Sequence, residues 1–289
     1  MFEIFDSFCN MQHLFSLLFF ILSITSLAQP IQLIVRSDDI GYTHAANEAI
    51  IETYQNGITT SVEVMVPTPW FPEAVKMLKE YPDLDVGVHL TLTSEWENLK
   101  WKPLTSAPSL TDDFGYFYPM IWPNENYGED RALKAQDWKL EEIEQELRAQ
   151  IELAKREIPQ VTHVTGHMGC TNMDERVEAI VRKLTKEYDL AIFPEDLGVK
   201  RARYQGPKKT KEEKISSFIA MLESLTPGIY LFVDHPAYDT PEMQAVHHVG
   251  YTDVAADRQG VTDLLTNEKV KETINQLGIE LISYVDLIK

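Results

Sequence analysis

Leu33-Ile34-Val35-Arg36-Ser37-Asp38-Asp39-Ile40-Gly41 is an apolar run of strand length that ends in two carboxylates and a glycine. It reads as a buried strand of an α/β protein. Successive side chains on a strand point to opposite faces, so Asp38 and Asp39 serve one site only if the chain leaves the strand there. Gly41, which lacks a Cβ, permits that departure. Thr43 then stands as a helix N-cap ahead of Ala45-Ala46-Asn47-Glu48-Ala49-Ile50-Ile51. Paired carboxylates at the carboxyl end of a buried strand lie where α/β folds place their chemistry. On this stretch alone, a turn whose aspartates only cap and solvate is the competing reading.

Outward from this strand the rhythm repeats. A helix is expected around Ala45 to Asn56, closed by Gly57, then a strand from Thr60 to Val66 stopped by Pro67 and Pro69. Phe71 to Leu78 reads as a helix with Pro72 in its first turn, and Asp85 to Leu92 as a third strand. Strands separated by helices imply parallel βαβ units. Further helices are expected over Lys139 to Glu157, Met173 to Tyr188, Glu212 to Leu225 and Thr262 to Leu277. Further strands are expected at Val161 to Gly166, Leu190 to Phe193, Gly228 to Val233 and Ile279 to Ser283. About seven strands alternating with helices point to a closed or nearly closed (β/α) barrel, with an open doubly wound sheet as the alternative. Between Ser94 and Asp137 the rhythm breaks in a long loop rich in aromatics, Trp96 and Trp101 among them. Such rings suit stacking on sugar faces or anchoring the loop to the core.

The chain has 289 residues, enough for one large domain or two ordinary ones, and no linker divides it. Residues 14–27 are apolar and precede Ser26-Leu27-Ala28, a small-residue cleavage pattern, so residues 1–28 read as a signal peptide and the protein as exported. Glu3 and Asp6 stand where such a leader is normally basic; a start at Met11 would remove them. The formal charge is −19, and losing Glu3 and Asp6 leaves 43 acidic against 26 basic residues, a net −17. So acidic a chain is unsuited to nucleic acid or anionic lipid, and favours a neutral or cationic ligand. The basic stretch from Val199 to Lys211 reads as a solvated face. Cys9 lies in the leader, so Cys170 is left without a partner and no disulfide framework is available.

Several strands carry a potential metal ligand at or near the carboxyl end: Asp38 and Asp39, His89, His163 and His167, Asp234 and His235. In a parallel barrel these ends face one mouth. One carboxylate and two imidazoles with open positions would bind a divalent cation and leave room for water and substrate. Zinc suits the histidines and the carboxylate.

Ser37-Asp38-Asp39-Ile40-Gly41, Asn47-Glu48-Ala49-Ile50, Val86-Gly87-Val88-His89-Leu90-Thr91-Leu92, Thr162-His163-Val164-Thr165-Gly166-His167 and His235-Pro236 follow one another as in the YdjC-like (ChbG/HpnK) carbohydrate deacetylases, which this chain resembles from about Gln32 to its end. The resemblance implies a (β/α) barrel of polysaccharide-deacetylase type that removes acetyl groups from N-acetylated sugars or oligosaccharides with a divalent metal ion, Mg2+ or Zn2+. On matching positions it implies Asp39, His89 and His167 as metal ligands, Asp38 as general base, His235 as acid, and a role for Arg258. Gly169 stands where the family commonly has a second histidine, a departure that bears on sugar contacts there. Trp96, Trp101 and Tyr238 are the candidate substrate-binding aromatics. A homodimer is compatible with the sequence. The rival readings are a secreted carbohydrate-binding protein with a degenerate barrel, a metal-dependent hydrolase of an O-acetyl ester or another bond, and a thiol hydrolase built on Cys170.

Overall fold

In the computed structural model, which describes residues 29–289, the apolar run ending in Asp38 and Asp39 forms the central strand β1 (Ile31–Ile40). The expected leader, with Cys9 and His13, lies outside the described residues. Parallel to β1 run β2 (Ser61–Val64), β3 (Asp85–Leu90), β4 (Val161–Gly166), β5 (Lys200–Arg201) and β6 (Gly228–Asp234), in the order β4-β3-β2-β1-β6-β5. A seventh strand, β7 (Glu280–Leu281), pairs with the start of β1 at Gln32 and Leu33. Among the described residues β4 and β5 do not pair, so the sheet is an open half-barrel of seven parallel strands rather than a closed one. Helices cover its outer face, and no described helix is long and apolar enough to cross a membrane.

The expected helices form with small changes of boundary. α1 (His44–Gln55) is capped by Thr43, whose Oγ accepts from the Ala46 amide at 3.1 Å. α2 (Phe71–Glu80), α3 (Leu140–Glu157), α4 (Glu175–Glu187) and α5 (Lys211–Ser224) follow. After α6 (Pro241–Gln244), the helix expected over Thr262 to Leu277 is instead two, α7 (Val254–Leu265) and α8 (Glu268–Leu277). Asn267 breaks them apart, because its side chain caps α8 by accepting from the Val270 amide. The strand expected at Leu190 to Phe193 does not form. The Leu190 amide is spent on Thr185 O at the end of α4, and Lys200-Arg201 takes the outer place in the sheet.

Inside the half-barrel, residues two apart on a strand share a face. Ile34, with Leu231 and Tyr284, forms a small apolar floor. Arg36 comes next along β1, level with buried Glu63 and His163, and Asp38 comes above. The His163 ring stacks on Tyr284 with centroids 3.7 Å apart. This polar layer leaves no room for a side chain at position 87. A Cβ on Gly87 would overlap Glu63 Oε2 and stand 2.5 Å from His163 Nε2. Gly87→Ala is therefore expected to destabilise by about 1–3 kcal/mol, lowering the melting temperature by roughly 2–12 °C in a thermal scan. An unchanged melting temperature would show that the layer yields.

Candidate metal centre and catalytic groups

The two aspartates reach one site because the backbone turns at Asp39 itself, where φ is 75°. That left-handed conformation is costly for most residues and tolerated best by Gly, Asn and Asp. Gly41, with φ 115°, completes the turn rather than starting it, and a Cβ there would stand 3.0 Å from Met65 O. As a result Asp38 stays on the interior face of β1 while Asp39 swings into the same mouth.

Asp39, His89 from β3 and His167, just past β4, converge there, each offering one ligand atom within 4.8 Å of the others. Asp39 Oδ1 lies 3.5 Å from His89 Nε2 and 3.4 Å from His167 Nδ1, and has no hydrogen-bond partner although it is buried. An unpartnered buried oxygen between two ring nitrogens fits a cation, and no other polar group satisfies it. The remaining ring nitrogens are both held. His89 Nδ1 is 2.8 Å from Thr165 Oγ1, which donates to Glu63 Oε2 at 2.6 Å. A hydroxyl has one hydrogen to give, so Thr165 accepts from His89 Nδ1–H, and His89 Nε2 keeps its lone pair toward Asp39. Glu63 Oε1 is in turn 2.8 Å from His163 Nε2. His167 Nε2 lies 3.1 Å from Glu95 Oε2, which leaves Nδ1 for the cluster.

The electrostatics put His89 in the ligating form, whereas His167 carries a proton that a cation taking its Nδ1 would displace. Burial and the neighbouring His167 push His89 down to about 3, so it is a neutral imidazole, the form that ligates. Burial opposes a charge on His167, but the carboxylates of Glu95 and Asp39 outweigh it and raise it to about 10. Burial likewise opposes ionising Asp39, yet His235, His167 and Arg258 hold its carboxyl well below the usual range.

Around the triad stand the other groups. Arg36 grips Asp38 with a two-bond fork, Nε to Oδ1 at 2.7 Å and Nη2 to Oδ2 at 2.9 Å, and donates to Tyr284 OH at 2.8 Å. Asp38 Oδ2 is 3.8 Å from His89 Nε2, so the free lone pairs of this carboxylate border the cluster. His235, at the end of β6, is 38% exposed, and its Nε2 lies 4.0 Å from Asp39 Oδ2. Its Nδ1 is 3.6 Å from Asp234 Oδ1, a charge contact longer than a hydrogen bond. Arg258 donates to Asp39 Oδ2 at 3.1 Å and to Tyr42 OH at 2.8 Å.

Some expectations need correcting. His163 is not with the triad; it lies below, tied to Glu63. Trp96 and Trp101 are 2% and 3% exposed and offer no face to a sugar. Trp96 packs beneath Arg258, whose guanidinium is 5.2 Å from its ring, and Trp101 donates its indole N–H to Thr93 O at 2.7 Å. They anchor the long loop because burying a large ring gains more than exposing it. Trp122, 45% exposed, stands instead over Gly169, and a Cβ there would meet its ring at 3.0 Å. Tyr238 lies half-buried against the core, its amide bonded to Ala45 O, outside the cleft lined by His235 and Arg258. Arg36, Glu63, Glu95 and Thr165 were missed. Arg36 had a signal, its two-residue spacing from Asp38.

Cys170 is fully buried, its thiol donates to Leu90 O, and burial pushes it up to about 12. A thiolate nucleophile is not available there. In a Cys9→Ser background the folded protein is expected to resist a thiol reagent at pH 8 and to label on unfolding. Prompt labelling of the folded protein would restore the thiol reading.

Fold and site together define an α/β half-barrel with a His-His-Asp metal-type triad at the carboxyl ends of its strands. The chain belongs to the YdjC-like protein family, whose sequence model matches residues 32–276. It is 31% identical over 266 residues to a carbohydrate deacetylase of Brevibacillus brevis, covering 89% of this chain and 99% of that one. It is 35% identical over 239 residues to a carbohydrate deacetylase of Thermus thermophilus, covering 74% and 80%. A crystal structure from Enterococcus faecalis V583, described as a cellobiose-phosphate cleavage protein, superposes with a TM-score of 0.68 at 26% identity, covering 89% and 99%.

Proposed function

We propose that the protein is a carbohydrate deacetylase, a metal-dependent hydrolase that removes acetyl groups from N-acetylated sugars or oligosaccharides. The observation that carries this reading is the unpartnered Asp39 Oδ1 between two oriented imidazoles, with a carboxylate and a third imidazole beside it. A divalent cation held by Asp39, His89 and His167 would supply Lewis acidity and a water of lowered pKa.

The chain's own residues do the rest. Asp38, fixed by the Arg36 fork, takes the proton of the attacking water at Oδ2. Arg258 holds Asp39 by its outer oxygen, so that Oδ1 faces the imidazoles. His235 is kept basic by Asp39 and Asp234 against the effect of burial, and so carries a proton for the leaving nitrogen. With that proton the nitrogen departs as an amine; the other product is acetate. Glu95 and Thr165 fix the two ligand rings. The reading takes residues 29–289 as one catalytic domain, with the loop over 94–137 as its cover. It places the work after export, on the leader-like pattern of residues 14–28.

The test is acetate release from N-acetylglucosamine oligomers by the wild-type protein, before and after chelation and with Zn2+ or Mg2+ restored. The expected result is turnover that chelation abolishes and one of the cations returns. Binding of the oligomers without acetate release would favour the carbohydrate-binding reading. Turnover of O-acetyl esters alone would move the activity to that bond.

A further inference from the structure

Tyr284 is the last buried side chain before the end of the chain, and it belongs to the floor beneath the site. Its floor neighbours Ile34, Ile192 and Leu231 are apolar, so packing alone would be served by phenylalanine or leucine. A buried hydroxyl costs free energy unless it is bonded, and this one accepts from Arg36 Nη1 at 2.8 Å. The ring lies flat on His163, with centroids 3.7 Å apart and planes 9° from parallel. The Tyr284 amide donates to Asp85 Oδ2 at 2.9 Å. Asp85 Oδ1 in turn accepts from the Thr162 hydroxyl, whose oxygen lies 2.8 Å from His163 Nδ1. Backbone, ring and hydroxyl of Tyr284 are thus all fixed.

Two paths of contact lead upward from this residue. Through the hydroxyl, Tyr284 holds Arg36, whose Nε and Nη2 form the fork on Asp38. A guanidinium is planar, so acceptors at Nη1 and along the Nε–Nη2 edge together fix its plane, and with it the carboxylate. Through the ring, Tyr284 holds His163, whose Nε2 is 2.8 Å from Glu63 Oε1. Glu63 Oε2 accepts from Thr165, and Thr165 accepts from His89 Nδ1. One path ends on the carboxylate beside the triad and the other on a ligand. Stability does not call for such a layer, since buried ionic groups replaced by well-packed apolar ones often leave a protein as stable or more so.

We propose that Tyr284 is a positioning residue for both halves of the site: its hydroxyl sets Arg36 and so Asp38, and its ring sets His163 and so His89. The hold on Asp38 rests on the deacetylase reading for its purpose, whereas the hold on His89 concerns cation binding and stands without it. The two duties are separable at one side chain. Phenylalanine keeps the ring and loses the hydroxyl; leucine loses both.

The experiment measures Zn2+ affinity, by competition with a chelating dye, and kcat for acetate release from N-acetylglucosamine oligomers at saturating cation. Wild type, Tyr284→Phe, Tyr284→Leu and Ile34→Ala are compared at a temperature where circular dichroism shows each folded. Tyr284→Phe is expected to lower kcat about 10-fold with KM unchanged, as for one lost bond to a buried cation, and to bind Zn2+ like wild type. Tyr284→Leu is expected to show the same kcat loss and Zn2+ binding about 10-fold weaker, the low end for groups that orient a ligand. Ile34→Ala opens a cavity in the same floor and is expected to lower the melting temperature alone. His163→Gln, which cuts the ring's path one step further on, replaces Tyr284→Leu if that variant does not fold. Tyr284 variants that behave as Ile34→Ala does, losing melting temperature but neither kcat nor affinity, overturn the positioning role. An affinity lost as fully in Tyr284→Phe as in Tyr284→Leu overturns it too. If wild type releases no acetate, the deacetylase reading fails and the dye competition still decides. Weak binding by Tyr284→Leu beside tight binding by Tyr284→Phe then supports the hold on His89; equal binding by all refutes it.

Discussion

Asp38→Asn is expected to lower kcat for acetate release by about 10²–10⁴-fold, the usual contribution of a positioned general base. The substitution keeps the shape of the side chain and removes its capacity to take a proton. Cation affinity should change little, because Asp38 lies beside the triad and is not one of its three converging ligands. Stability should change, however. Arg36 is buried, and its fork closes on both Asp38 oxygens. An amide nitrogen facing that fork leaves a buried cation half paired, a loss that costs about 3–5 kcal/mol where nothing compensates. Glu63, 3.8 Å from Arg36 Nε, softens it. The measurement is therefore kcat at saturating cation, at a temperature where circular dichroism shows the variant folded. Wild-type turnover by the folded variant would refute the base assignment.

A second large effect is expected at Asp39. Asp39→Asn should weaken Zn2+ or Co2+ binding by about 100-fold or more, beyond the 10–100-fold typical of losing a group that only orients a ligand. Asparagine tolerates the left-handed backbone at this position almost as well as aspartate, so strain is not the cause. What is lost is the negative charge that faces His167, Arg258 and His235 together. Competition with a chelating dye reads the affinity without any turnover. Glu95→Gln and Thr165→Val serve as comparisons, with losses of about 10–100-fold through the orientation of His167 and His89. An Asp39→Asn affinity equal to that of wild type would remove Asp39 from the ligand set.

The site was partly legible in the chain because its parts sit on strands. Asp38, Asp39, His89, His167 and His235 all fall at or near the carboxyl end of an apolar run, and parallel strands bring such ends to one rim. The groups that hold these residues were harder to see. Glu63 interrupts Ser61-Val62-Glu63-Val64 as an outward-facing polar residue of a half-buried strand would, yet it is wholly buried. Alternation reports that two faces differ, not that the polar one turns inward. Glu95 lies beyond β3 in the long loop, where no period links it to His167. The tryptophans misled for a related reason, since a ring in a loop looks the same in sequence whether it waits for a ligand or pins the loop down.

By itself, then, the sequence determined the parallel α/β architecture, the helix cap at Thr43, and the rim on which the polar strand ends gather. Those follow from local periodicity and capping, which neighbouring residues settle among themselves. Only the tertiary structure decided that the barrel stays open between β4 and β5 and that His163 supports the site from below. It alone put Trp96 behind Arg258. Each of these depends on which distant segments meet, and the spacing of residues along the chain carries no record of that.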